Sequence, residues 1–287
     1  MLLSGCAQQD DHEAPSADGA TGAVRAPRTQ HPSQQLPIAA YALSAEEDAL
    51  VAKAEQQLTR ACAKRFSVDY EPPGAGDKGA VGRDEDRRYG VVDAKLASAY
   101  GYHLPPDPKA PPVHLSSSQR IVLLGQSVDG ARVERFRGED LPEGGCTGEA
   151  RQKARGDFAS EDLSGIAGGI DAGSFRPSME EPEVKAALGQ WSQCMARRGH
   201  DYATPLDSVG DRRFGDESAS KGEREVAEAD VDCKMQTGLI EHWVAGESRL
   251  QRAAIKKNAA QLGKLKEQQR REIRYARTVL KKGTARP

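Results

Sequence analysis

Cys62-Ala-Lys-Arg-Phe-Ser-Val-Asp-Tyr70-Glu-Pro72 and Cys194-Met-Ala-Arg-Arg-Gly-His-Asp-Tyr202-Ala-Thr-Pro205 are two versions of one phrase. Each has a cysteine, a basic pair, a tyrosine eight residues after the cysteine and then a proline. Apolar residues recur at helical spacing ahead of both cysteines: Ala49, Leu50, Ala54, Leu58 and Ala61 in the first, Val184, Leu188 and Trp191 in the second. Ser44 followed by Glu47 forms a capping box for a helix running to about Arg65. Ser178 to Glu181 carries a similar signature for a helix ending at Gly199. Each phrase is followed downstream by another cysteine, Cys146 and Cys233. The pattern reads as an imperfect duplication: two units, each with a helix, an exit segment and a returning helix. The competing account is coincidence among common residues.

Four body cysteines allow three pairings, and spacing alone does not choose among them. The duplication favours Cys62–Cys146 and Cys194–Cys233, one bridge per unit, each contributing about 2–4 kcal/mol. Zinc is the weaker alternative, because its ligands normally come in close pairs such as C-x2-C. No metal or other cofactor is expected.

The composition suits a body of this kind. The 287 residues are 37% hydrophobic but only 5% aromatic, and 29% are charged. Mean hydropathy is −0.68, so loop or disordered chain should accompany the core. The net charge of −2 conceals an asymmetry. Residues 249–287 hold thirteen Lys/Arg against two Glu, a balance of +11, which leaves −13 for residues 1–248. The single asparagine, Asn258, alongside abundant Ala, Gly and Arg, is the imprint of a GC-rich genome. No run approaches the ~20 apolar residues of a spanning helix.

The fifth cysteine stands apart. Leu3-Ser4-Gly5-Cys6 resembles the lipobox of bacterial lipoproteins, which implies a diacylglycerol on Cys6 and cleavage just before it. Only Met1, Leu2 and Leu3 precede it, so the expectation is that the true start lies upstream. Residues 7–43 are rich in Gln, Ala, Pro, Ser and Asp, and read as a disordered tether. The expected organisation is a lipobox at 1–6, the tether at 7–43, a helical disulfide-bonded body at 44–248 and a basic terminal helix at 249–287.

Within the body, short helices are expected around Ala94–Tyr100 and after Thr147, and an element of open type at Gln119–Gly125. Gly74–Arg88 reads as an exposed loop, Leu104–Val113 and Val209–Gly222 as further loops, and Gly165–Gly173 as a flexible turn. Tyr70 and Tyr202 could line a groove between the units, although core packing suits them better. Trp191 and Trp243 should pack beside the second bridge. Glu223–Val244 reads as a helix continuing to Lys282. Its last ~35 residues carry a seam of Ile255, Asn258, Leu262, Leu265, Gln269, Ile273, Ala276 and Leu280. Lys256, Lys257, Lys264, Lys266, Arg270, Arg271, Arg274 and Arg277 surround it. This helix could dock on its own domain, pair in a coiled coil, or meet anionic lipid or envelope polymer at roughly 1 kcal/mol per basic residue. Nucleic acid is a poor fit for an exported chain.

Motifs for chemistry are sparse. The six histidines follow no H-E-x-x-H pattern, and Gly125-Gln126-Ser127-Val128-Asp129 lacks the second glycine of a nucleophile elbow. Arg88-Tyr89-Gly90, Tyr100-Gly101-Tyr102, Gly144-Gly145-Cys146, and Trp191-Ser-Gln-Cys194-Met195 with Gly199 and Tyr202 together resemble uncharacterised secreted lipoproteins of actinobacteria. That resemblance implies an envelope location and assigns no catalytic residue. The expected fold is mainly α. The expected function is a membrane-anchored, non-enzymatic binding or assembly module, with an extracellular hydrolase as the alternative. A pocket of converging carboxylates with a shifted titration would favour the hydrolase.

Overall fold

The computed structural model of the protein describes residues 31–72, 86–106, 114–155 and 163–284. Among them are ten α-helices, and both disulfides join the expected partners, Cys62 with Cys146 and Cys194 with Cys233.

The first unit is built on α1 (Ala45–Arg65). The Ser44 hydroxyl accepts from the Glu47 amide, and the Glu47 carboxylate accepts from the Ser44 amide, closing the capping box. After α2 (Ala94–Tyr100) and α3 (Ser117–Leu124), a two-stranded hairpin of β1 (Arg135–Phe136) and β2 (Glu139–Asp140) leads into α4 (Gly145–Arg155). Helices α1 and α4 run antiparallel. The bridge joins the end of α1 to the start of α4, while Arg155 at the far end of α4 meets Glu55 of α1 at 2.7 Å. Their interface is made of small residues, with Ala54, Ala63, Ala150 and Ala154 all buried. Gly145 permits the approach of α3: a Cβ there would lie 2.6 Å from the Gly125 amide nitrogen.

The second unit comprises α5 (Leu163–Ser178), α6 (Pro182–Arg197), α7 (Pro205–Val209), α8 (Lys221–Thr237) and α9 (Leu239–Lys257). Its bridge sits among large side chains. Trp191, Trp243, Met195, Leu239 and Tyr89 are buried in the same cluster as Cys194 and Cys233. The last helix, α10 (Ala259–Thr284), crosses back to the first unit, where Ala276 and Val279 pack with Val51, Ala54 and Ala154.

The two quoted phrases share a backbone solution. Val68 and His200, six residues after their cysteines, donate to the carbonyls of Ala63 and Met195 at 3.1 and 3.0 Å. One residue earlier, Ser67 and Gly199 take positive φ angles of 51° and 85°. Both helices therefore end in a Schellman-type cap with a left-handed residue at the same place.

Several expectations are corrected. Gly165–Gly173 is no turn but the middle of α5, because Ile170 and Ser174 are buried against neighbouring elements and outweigh the glycines' helix cost of about 1 kcal/mol each. Ser178 caps nothing. It ends α5, where its hydroxyl accepts from the Trp243 indole at 2.8 Å, and α6 starts instead at Pro182, whose fixed φ suits a first helical position. Cys146 lies inside α4 rather than before it. Gln119–Gly125 resolves as α3, capped by Ser116 with Gln119. The helix expected from Glu223 to Lys282 is broken twice, at Gly238 in the left-handed conformation and at Asn258, whose amide turns back to the Ala254 carbonyl at 2.8 Å. A boundary at 248/249 would cut α9 in half.

The body also begins earlier than residue 44. Two 3-10 turns, Pro32–Gln35 and Pro37–Tyr41, bury Leu36 and Ile38 against Leu262 and Leu265. Tyr70 and Tyr202 belong to different clusters and share no groove. Of the expected 74–88 loop, Arg88 is largely covered, and residues 74–85 lie outside the described residues, as do 107–113 of the Leu104–Val113 loop.

Candidate functional site

Where the 3-10 turns meet α1, α5 and α10, a cleft of about 920 Å³ opens. One wall is apolar, formed by Ile38, Tyr41, Leu43, Ala167 and Leu265. The other is polar, with Asp48, Arg155, Asp171, Gln268, Gln269 and Glu272. Leu265 and Gln269 of the α10 seam belong to these walls. Gln269 ties α10 to the turn by donating to the Tyr41 carbonyl at 2.7 Å, and Lys266 lies over the Tyr41 ring at 5.8 Å.

A buried network holds the walls in place. Glu247 of α9 is fully buried and takes both Arg88 and the Tyr89 hydroxyl, the latter at 2.7 Å. Arg88 also reaches the Asp171 carboxylate of α5 at 3.2 Å. Ser174 donates to Glu247 at 2.6 Å and accepts from Gln251 at 2.9 Å, and Gln251 in turn accepts from the Ile38 amide at 3.0 Å. The network thus pins the turn to α9 and α5. Burial and the Glu247 carboxylate push the Tyr89 phenol well above its ordinary range, so it remains a donor. Removing either partner of such a buried ion pair typically costs about 3–5 kcal/mol.

The cleft charges differ in how they are satisfied. Arg155 pairs with Glu55 at 2.7 Å and approaches Asp48 at 3.9 Å, and Asp171 is held by Arg88. Glu272 is 6% exposed, forms no ion pair among the described residues, and accepts one amide bond, from Gln268 at 3.2 Å. Burial raises its carboxyl above the ordinary range, against the opposing pull of Gln268 and Arg155.

A second buried pair lies beyond the cleft. Lys234 contacts Asp230 at 2.9 Å and the Val91 carbonyl at 2.8 Å, while the Trp191 indole donates to Asp230 at 3.0 Å. This arrangement locks α8 to α6 and to the segment before α2. His103 lies 3.4 Å from the buried Glu223. Among the described residues, no three His, Cys, Asp or Glu side chains gather as a metal site would require.

The residues singled out in sequence divide into three groups. Cys62, Cys146, Cys194 and Cys233 are buried in their bridges, which mark an oxidising, extracytoplasmic compartment. Lys256, Lys257, Lys264, Arg270, Arg271, Arg274 and Arg277 are exposed and Lys266 is half-buried, whereas Leu262, Leu265, Ile273 and Ala276 are buried. The terminal seam is therefore docked on its own domain, leaving a basic ridge outside. Cys6 lies outside the described residues, and no described helix is long and apolar enough to cross a membrane. The sequence reading missed Glu272, yet a signal was present. It lies seven residues after Leu265 and four before Ala276, which puts an acid on the inner face of a helix whose outer face is basic. No family model, curated protein or solved structure matches the chain.

Proposed function

We propose that the protein is a lipid-anchored module of the cell envelope that binds a partner without chemistry of its own. The observation that carries this reading is the cysteine pairing. Two disulfides use all four body cysteines, and the remaining one, Cys6, stands in a sequence that resembles a lipobox. The basic ridge of α10 adds a second contact. Lys256, Lys257, Arg270, Arg274 and Arg277 form no ion pair among the described residues, so their charge is free to face anionic lipid headgroups. One lipid group with a polybasic surface makes a stable anchor where a single acyl chain is marginal.

The hydrolase alternative would rest on Glu272, a carboxyl raised by burial inside a cleft. It would also need a second carboxylate free to act as base. Asp48 and Asp171 are instead engaged by arginines, which favours binding.

Mass spectrometry of the membrane-extracted protein tests the anchor. The expected result is a thioether-linked diacylglycerol on Cys6, with Cys6→Ser moving the protein from the detergent to the aqueous phase. An unmodified Cys6, or unchanged partitioning, overturns the proposal. For the ridge, the triple variant R270E/R274E/R277E should lose salt-sensitive binding to phosphatidylglycerol vesicles, while vesicles of phosphatidylcholine alone bind neither protein.

A further inference from the structure

Among the described residues the protein has three notable openings, and their charges set them apart. The opening between α4 and the hairpin is lined by Arg65, Glu149 and Lys153, and Glu149 pairs with both cations. The opening between α5 and α9 is lined by Ile166, Gly169, Ile170, Gly173 and Leu250 and carries no ionisable side chain. The cleft beside Tyr41 alone holds a carboxyl that is nine-tenths buried and lacks an ion-pair partner, Glu272.

We propose that this cleft binds a protonated amine carried on an apolar body, with the ammonium group seated on the Glu272 carboxylate. The apolar body fits the wall of Ile38, Tyr41, Leu43, Ala167 and Leu265. The Gln268 and Gln269 side chains border the polar side, and Gln268 already orients one Glu272 oxygen. Asp48, Asp171 and Glu272 line the cleft with Arg155, and of these three carboxylates Glu272 alone forms no ion pair with an arginine among the described residues. A buried carboxyl without a cation pays a desolvation penalty that an entering ammonium offsets by a charge-assisted hydrogen bond.

A pH dependence follows. The groups facing Glu272 are Glu55 and Asp48 from α1, Arg155 from α4, Asp171 from α5, and Gln268 and Arg271 from α10. Burial raises the free Glu272 carboxyl above its ordinary value, so amine binding should strengthen as pH rises through that raised value and the carboxyl ionises.

The test uses the full chain in solution with no membrane, so its outcome is separate from that of the lipid anchor. The probes are 2-phenylethylamine, its neutral counterpart 2-phenylethanol and the anion phenylacetate, followed by backbone amide NMR titration. The amine should shift amides of residues 36–43 and 265–272 and bind better than the alcohol, with phenylacetate weakest. Glu272→Gln should weaken the amine about tenfold and leave the alcohol unchanged, as expected for loss of one charge-assisted contact. Gly168→Phe provides a second variant, because a Cβ at Gly168 meets nothing within 4 Å and the ring would fill the cleft from α5. It should abolish binding with the spectrum otherwise folded. Equal binding of amine and alcohol, shifts located elsewhere, no amine binding, or binding that survives both variants would overturn the proposal.

Discussion

The two disulfide units begin from the same phrase and end in different chemistry. In both, a helix carries its cysteine into a Schellman-type cap, and the bridge spans Cα atoms 5.5 and 5.7 Å apart. The first bridge meets both charge and apolar side chains: Arg65 donates to Cys62 Sγ at 3.2 Å and pairs with Glu149, while Phe66, Val68, Val122 and Leu123 are buried in the same cluster as Cys62 and Cys146. The second lies in a cluster with two buried tryptophans, Tyr89 and Met195. A repeated phrase specifies how a helix ends. What surrounds the bridge decides how much of the unit's stability depends on it. The first cluster buries one large aromatic ring, Phe66, and the second buries Trp191, Trp243 and Tyr89, so the second has more apolar area to fall back on.

Removing the bridges breaks the comparison most directly. The sequence separations are 84 and 39 residues. Loop closure then gives a loss of about 4.6 kcal/mol for Cys62→Ala/Cys146→Ala and about 3.9 kcal/mol for Cys194→Ala/Cys233→Ala. Urea unfolding checks the order, and a larger loss at the second bridge would mean that its aromatic packing depends on the covalent link. Next in size, Trp243→Ala should cost about 3–5 kcal/mol by the same measurement, since it empties a fully buried site and leaves Ser178 without its indole donor. A cost below 1 kcal/mol would deny the second unit its aromatic support.

The caps offer a matched and smaller test. A Cβ at Gly199 meets nothing within 4 Å, so Gly199→Ala should cost about 1 kcal/mol from backbone strain alone. The reciprocal Ser67→Gly should gain about 0.5 kcal/mol by relieving strain at φ 51°. Equal signs in thermal melts would show that the two caps are not equivalent. A further small effect concerns pH. Burial alone would raise the Glu149 carboxyl, but Lys153 and Arg65 hold it below the ordinary range. Its contribution is therefore present above the unfolded carboxylate pKa and lost as pH falls through the lowered folded value. Glu149→Gln should flatten that acid loss by less than about 1 kcal/mol, the usual scale for partly exposed pairs.

Much of the first-level structure was legible in the sequence because its signals are local. Ser44 with Glu47 marked the start of α1, and Asp93 precedes an α2 whose bounds match the expected Ala94–Tyr100. The duplicated phrase chose the bridges. The misses were places where distant contacts overrule local preference. Glycines at 165–173 argued for a turn until burial of Ile170 and Ser174 made the segment a helix. Ser178 looked like a cap because nothing nearby in sequence showed that Trp243 needs its oxygen. The long terminal helix looked continuous because the turn at Asn258 depends on a single side chain folding back on its own helix.

The candidate site was the least legible part. The basic residues of α10 could be counted and their outward placement followed from the seam. Glu272 needed the opposite inference, that one acid on the inner face would form no ion pair among the described residues. That depends on Arg155 choosing Glu55 and Arg88 choosing Glu247 and Asp171, pairings that join residues 83 to 159 positions apart.

The sequence by itself therefore determined the helical class, the helix exits at Cys62 and Cys194, the pairing of the four cysteines and the basic outer face of α10. Each follows from periodicity, capping chemistry or a repeated phrase, all of which act within a few residues. Only the tertiary structure decided that residues 31–43 pack on the body, that the terminal seam docks on its own domain, and that a cleft forms around an unpaired carboxyl. Those outcomes depend on which buried charge finds which partner, and that competition is settled in three dimensions.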